Sequence, residues 1–181
     1  MKKFMSLFVS MLVFSAFAYG QKEVTNFAGI WNLEVEKSEL GERSRIESMK
    51  MTVTQTDKEL AFERKAEIEE RSDGDGFGGG RRGMARGPGA MGGQAASYDL
   101  TGKETIAPGG RGGSAKLKAE MHGATVKLIQ KREFEGPMGS VSIKSVETWS
   151  LSEDGKTLTV SSETETPRGI RNSKMVFTRA E

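Results

Sequence analysis

Between Ser140 and Ser162 the chain alternates apolar and polar residues, turns, and alternates again. Val141, Ile143, Trp149 and Leu151 fall on one side of a period of two. Asp154-Gly155 then breaks the run, and Leu158 and Val160 resume it on the way back. A period of two puts successive side chains on opposite faces of a strand, and Asp-Gly between two such runs is a strong hairpin signal. A helix cannot satisfy this pattern, because its apolar stripe repeats every three to four residues. The chain is therefore expected to be antiparallel β with one apolar face per strand.

The N-terminus reads as an address. Lys2 and Lys3 precede an apolar run from Phe4 to Ala18 that is broken only by serines, and Ala18-Tyr19-Gly20 supplies small residues at the −3 and −1 positions before Gln21. This is the tripartite pattern of a secretory signal peptide, residues 1–20, with cleavage after Gly20. The alternative, a membrane anchor, needs about 20 apolar residues, and this run is shorter. Loss of Lys2 and Lys3 from a chain with 27 basic and 25 acidic residues leaves the mature protein formally neutral. That removes the electrostatic case for a nucleic-acid or anionic-membrane partner. With no cysteine, disulfides, thiolate chemistry and cysteine zinc sites are excluded, so stability must come from core burial.

Residues 21–181 suit a single domain. Composition breaks sharply at Ser72–Ala96, with ten glycines in twenty-five residues and several arginines. Glycine loses the most backbone entropy on ordering, and this segment has little apolar area to bury in return. It is expected to be a disordered Gly/Arg-rich loop inserted between strands, with a second, smaller flexible stretch at Pro108–Gly113. The remainder reads as strands joined by turns. Phe27, Gly29, Trp31, Leu33 and Val35 share one face; so do Met49, Met51 and Val53; then Leu60 and Phe62; Tyr98 and Leu100; Leu117, Ala119 and Met121; Val126 and Leu128; and, last, Met175 and Phe177. Turns are expected at Asp57-Lys58, His122-Gly123, Gly136–Gly139 and Pro167–Gly169. Eight or nine short, evenly spaced strands predict an all-β meander. A roughly eight-stranded closed barrel is favoured over an open barrel or a sandwich, because closure removes exposed edges.

Phe27–Ser38, with Gly29-Ile30-Trp31 at its start, and the later Glu147–Val160 hairpin resemble the small exported lipocalin-like proteins of bacteria, most of which have no established activity. The resemblance covers most of residues 26–179 outside the glycine-rich loop. It implies a calycin-type barrel that holds a hydrophobic ligand.

Two tryptophans sit in matching pairs, Trp31-Asn-Leu33 and Trp149-Ser-Leu151, both on inward faces. They suit either a ligand-cavity wall or a packed barrel floor. The alternation also carries polar residues inward: Arg64 after Leu60 and Phe62, Gln130 and Arg132 after Val126 and Leu128, and Glu147 before Trp149, with Tyr98 adding a hydroxyl. A buried charge must be paired or wet, so these imply an internal ion pair or an open mouth suited to orienting an amphipathic ligand. The alternative is a β-bulge or a strand end that turns them to solvent. His122, the sole histidine, reads as a turn residue rather than a metal ligand, since it lacks spaced partners. Asp73-Gly-Asp-Gly76 fails as a calcium loop, because Phe77 and Met84 occupy ligand positions five and twelve. The Arg-Gly steps at Arg81-Arg-Gly83, Arg86-Gly87 and Arg111-Gly-Gly113 lack the interleaved aromatics of an RNA-binding box beyond Phe77.

No nucleophile elbow, zinc helix, phosphate loop or dinucleotide fingerprint occurs. The expectation is a periplasmic or secreted, non-enzymatic binder of a small apolar or amphipathic molecule, without cofactor or metal. Its ligand residues would be Trp31, Phe62, Arg64, Tyr98, Arg132, Glu147 and Trp149. The alternative is an envelope interaction or structural protein with a packed barrel and the Gly/Arg-rich loop as its contact element.

Overall fold

The apolar–polar alternations become strands, and all but one of the successive pairs of strands are hydrogen-bonded neighbours. A computed structural model describes residues 25–41, 44–69, 94–110, 113–136 and 139–180. The expected signal peptide and residues 72–93 of the Gly/Arg-rich insertion lie outside the described residues. The strands are β1 (Gly29–Leu33), β2 (Ile46–Gln55), β3 (Glu59–Ile68), β4 (Gln94–Asp99), β5 (Thr105–Gly110), β6 (Gly113–His122), β7 (Thr125–Gly136), β8 (Gly139–Leu151), β9 (Thr157–Thr166) and β10 (Gly169–Arg179). They form one ten-stranded antiparallel sheet in the order β4-β3-β2-β1-β10-β9-β8-β7-β6-β5. The first strand pairs with the last, through Trp31↔Arg179 and Leu33↔Phe177, so the meander curls into a barrel. Between β4 and β5 there is no ladder, and the barrel is nearly rather than fully closed.

The strand count corrects the expectation of about eight, and two of the differences have clear causes. Thr105–Gly110 is a strand, although Pro108 and its glycines suggested a flexible stretch. It lies at the free edge of the sheet and bonds only to β6, and an edge is where a proline without an N–H is tolerated. Gln94, Ala95 and Ala96, placed in the insertion from composition, open β4 and pair with Arg64, Glu63 and Phe62. Of the expected turns, Pro167-Arg168 is a two-residue hairpin closed by Thr166↔Gly169. At Asp154-Gly155 the loop is longer than a two-residue turn, closed by Ser152 N–H donating to the Thr157 carbonyl at 2.9 Å. Gly155 takes the left-handed backbone, φ +66°, that glycine accepts without strain.

Register makes the interior a stack of rows. One row runs Met175–Val160–Trp149–Val126–Met121 across β10 to β6. The next is Ser173–Ser162–Glu147–Leu128–Ala119. The row beyond holds Thr164, Ser145, Gln130 and Leu117. Every inward face thus begins apolar, and from β7 through β10, and on β3, it turns polar part-way along the strand. The apolar end is densely filled: Phe27, Trp31, Trp149, Leu60, Leu158 and Phe177 are wholly buried. Trp149 meets Phe62 with ring centroids 5.2 Å apart and Phe27 edge-on at 6.1 Å, the tilted and T-shaped geometries that aromatic quadrupoles prefer.

The outer end of this floor is finished by Arg179. Its guanidinium lies 4.3 Å from the Trp31 ring centre and donates to the carbonyls of Ala28 (2.7 Å) and Gly155 (3.1 Å). Trp31 Nε1 in turn donates to the Phe27 carbonyl at 3.0 Å. Gly29 makes this possible, because a Cβ there would collide with the Arg179 guanidinium, and its φ of +144° disfavours other residues. The Gly-x-Trp spacing is thereby explained by packing: one residue leaves room for the cation and the other receives it.

Candidate functional site

Where the inward faces turn polar, the barrel holds a chamber of about 330 Å³. Its base is an ion pair. Arg64 on β3 donates from Nη1 to Glu147 Oε1 at 2.8 Å and from Nη2 to Oε2 at 2.7 Å, a bidentate match between guanidinium and carboxylate. The arginine is 4 % exposed. Further partners complete the network: Arg64 Nε reaches Met51 Sδ at 3.3 Å, its Nη1 reaches Gln94 Oε1 at 3.2 Å, and Trp149 Nε1 donates to Glu147 Oε2 at 2.8 Å. The guanidinium also lies 4.6 Å from the Phe62 ring centre, so the pair rests directly on the aromatic floor. Burial alone would raise the Glu147 carboxyl's pKa, but the Arg64 charge and the hydrogen bonds from Arg64 and Trp149 hold it below the ordinary value.

Arg64, Arg132 and Glu147 therefore point inward. The bulge alternative fails because β3 pairs with β2, and β7 with β8, without a register break at these positions; the shifts lie elsewhere, at Ile46/Ser48 and Pro108/Gly110. Tyr98 on β4 lines the same chamber, stacked 6.3 Å from Phe62. Burial raises its phenol well above the usual range, the Glu147 charge adds to this, and Arg64 and Arg132 oppose it. Arg132, opposite Ala115 and Ile143, differs from Arg64. Its Nε is buried without a hydrogen-bond partner among the described residues.

Of the seven residues expected from sequence, Arg64, Tyr98, Arg132 and Glu147 line the chamber. Trp31, Phe62 and Trp149 do not: Trp31 and Trp149 are fully buried and Phe62 nearly so, and they form the floor beneath it. Gln94, Ser145, Ser162, Thr164 and Ser173 also line the chamber and were missed. For Ser145, Ser162, Thr164 and Ser173 the signal was present in the continued period of two, whereas the loop-like composition around Gln94 hid it. Thr164 lies between the exposed Glu163 and Glu165, so it faces inward, and its hydroxyl lies 3.1 Å from that of Ser145. Leu40, Ser44, Ile46 and Pro108 also line the chamber. His122 is an exposed strand-end residue beside the Gly123-Ala124 turn, with Nε2 3.7 Å from Glu120. No group of three or more His, Cys, Asp or Glu side chains that could hold a metal occurs among the described residues.

No family model matches the chain, and no curated protein matches it in sequence. Solved structures do share its fold. One is described as the REP1-NXSQ fatty acid transporter, with a TM-score of 0.50, 10 % identity, and coverage of 85 % of this chain and 96 % of that one. Another is zebrafish ileal bile acid-binding protein complexed with cholic acid, with a TM-score of 0.51, 14 % identity, and coverage of 85 % and 98 %. What the chain shares with both is the antiparallel β-barrel fold, as the sequence led us to expect.

Proposed function

We propose that this chain is an exported, lipocalin-like, non-enzymatic carrier that takes a small apolar or amphipathic molecule into the chamber above its aromatic floor. The observation that carries this reading is the chamber itself. At about 330 Å³ it reaches the usual lower end for ligand sites, ~300 Å³, and it combines apolar lining from Leu40, Ile46, Met49 and Met175 with a few converging polar groups. The two structural neighbours are described by a fatty acid and by cholic acid, in keeping with this reading. Export follows from the leader pattern of residues 1–20, and places the protein in the periplasm or outside the cell.

A second reading has its own support. The lower half of the barrel is packed by Trp31, Trp149, Met51 and Phe62, as expected of an interaction or structural protein without a ligand. Native mass spectrometry and solvent extraction of protein purified from its own host separate the two. A co-purifying small molecule supports the carrier. Reproducibly empty protein, with no thermal shift across a fatty-acid and isoprenoid panel, removes it in favour of the second reading. The intact mass of the same sample tests export, which requires a chain that begins at Gln21.

A further inference from the structure

Charge and hydrogen-bonding capacity in the chamber narrow the ligand further, on the premise that the carrier reading holds. Among the described residues, three charged side chains line it: Arg64, Arg132 and Glu147. Glu147 gives both carboxylate oxygens to Arg64, so that pair is neutral and satisfied. Arg132 has no carboxylate partner among the described residues, and its buried Nε has no hydrogen-bond partner among them. An uncompensated guanidinium in a partly desolvated site is costly, and an anion beside it restores the balance. The planar fork of arginine matches a carboxylate in particular.

The wall that continues from Glu147 has its own preference. Ser162 and Ser173 stand side by side on β9 and β10, Thr164 and Ser145 on β9 and β8, and Gln130 follows on β7. All five line the chamber. Hydroxyl and amide groups both donate and accept, and an alkyl chain laid against them would displace water and return nothing. Nor does an apolar tunnel continue below, since Trp149 and Phe62 close the floor. Leu40, Ile46, Met49 and Met175 supply apolar lining within the chamber itself, so the ligand's alkyl part must be short enough to stay there beside the polar wall.

We infer that the molecule this chamber selects is a compact hydroxylated organic acid, with its carboxylate on Arg132 and its hydroxyls on the Ser/Thr/Gln wall. A long aliphatic acid fits these walls poorly.

The test is calorimetric titration of the delipidated protein with three probes matched in length: 3-hydroxyoctanoate, octanoate and neutral 1,3-octanediol. 3-Hydroxyoctanoate should bind roughly 10–100-fold more tightly than either of the others, the scale of one hydrogen bond to a charged group or of one matched hydroxyl in a polar site. Arg132→Gln should abolish the preference for the acid over the diol while leaving circular dichroism and the unfolding midpoint close to wild type. Arg132→Lys, which keeps charge without the fork, should retain part of it. Ser162→Ala with Thr164→Val should abolish the preference for the hydroxy acid over octanoate. Equal affinity for 3-hydroxyoctanoate and octanoate, or an Arg132→Gln protein with unchanged preferences, overturns the inference. If none of the three binds but palmitate does, the inference falls and the carrier reading stands. If no probe and no member of the apolar panel binds, both fall.

Discussion

Substituting Glu147 with glutamine tests the central electrostatic unit of the barrel without changing its volume. Arg64 is 4 % exposed, and two of its bonds, at 2.7 and 2.8 Å, end on the Glu147 carboxylate. Deleting one partner of a buried pair costs about 3–5 kcal/mol, because the other charge stays behind. Arg64 lines the chamber rather than the packed floor, which puts the loss near the low end. Against that, the glutamine amide presents N–H donors to a guanidinium that has only donors, and its one carbonyl must choose between Arg64 and Trp149 Nε1. A further ~1 kcal/mol follows from the unmet bond. Glu147→Gln should therefore destabilise by about 3–4 kcal/mol, a large share of a typical domain's ~5–15 kcal/mol. The double variant Arg64→Met/Glu147→Gln removes the stranded charge and frees the carbonyl for Trp149, so it should lie within about 1 kcal/mol of wild type, as apolar replacements of buried pairs do. Urea unfolding followed by tryptophan fluorescence and far-ultraviolet circular dichroism reads both values, and coincident transitions validate the two-state treatment. A loss below ~1 kcal/mol for the single variant, or a double variant as unstable as the single, would refute the reasoning from charge stranding.

Three further outcomes follow from the same geometry. Because the Glu147 carboxyl is held below its ordinary value of 4.5, its contribution is complete above that pH and disappears as pH falls through the folded value. The urea midpoint of the wild type should thus drop more steeply between pH 5 and pH 3 than that of Arg64→Met/Glu147→Gln; parallel curves would contradict this. Gly29→Ala should cost about 1–3 kcal/mol, since the new Cβ meets the Arg179 guanidinium and the backbone keeps a glycine conformation. Arg179→Met should cost about 1–2 kcal/mol from the lost cation–π contact and two carbonyl hydrogen bonds, red-shifting the Trp31 emission while chamber ligands bind unchanged.

Legibility in the sequence followed the range of the interactions. The all-β meander was readable because strand period and turn chemistry are local: Val126-to-Leu128 alternation and the Pro167–Gly169 turn need no knowledge of the rest of the chain. β5 was not, because its Pro108 and glycines suit an edge strand only once the sheet's free edge is known. The ends of β4 were obscured for a similar reason, as Gln94-Ala95-Ala96 has loop-like composition and becomes strand through pairing with β3. The inward placement of Arg64 and Glu147 could be read from period two, but their pairing joins residues 83 apart and depends on curvature across the barrel. The same limit hid the division of labour among the aromatics. Trp31 and Trp149 share a motif with inward residues, and only the stacking of rows places both in the floor.

The Arg179 clasp on Trp31 bears on how the barrel is assembled in time. Nine of the ten strands can find at least one partner across a short connection, but the β1–β10 seam joins residues separated by almost the whole domain, as in the 151-residue gap between Arg179 and Ala28. Contacts of such long separation require that most of the loop entropy be spent before they form, which makes them late and slow. During synthesis the N-terminal strands emerge first. Until β10 arrives, β1 keeps a free backbone edge beside an indole that lacks its cation, the pairing of features that invites strand exchange with a neighbouring chain. The final strand is thus the latch of the molecule, and truncation at this end should favour association between chains over folding within one.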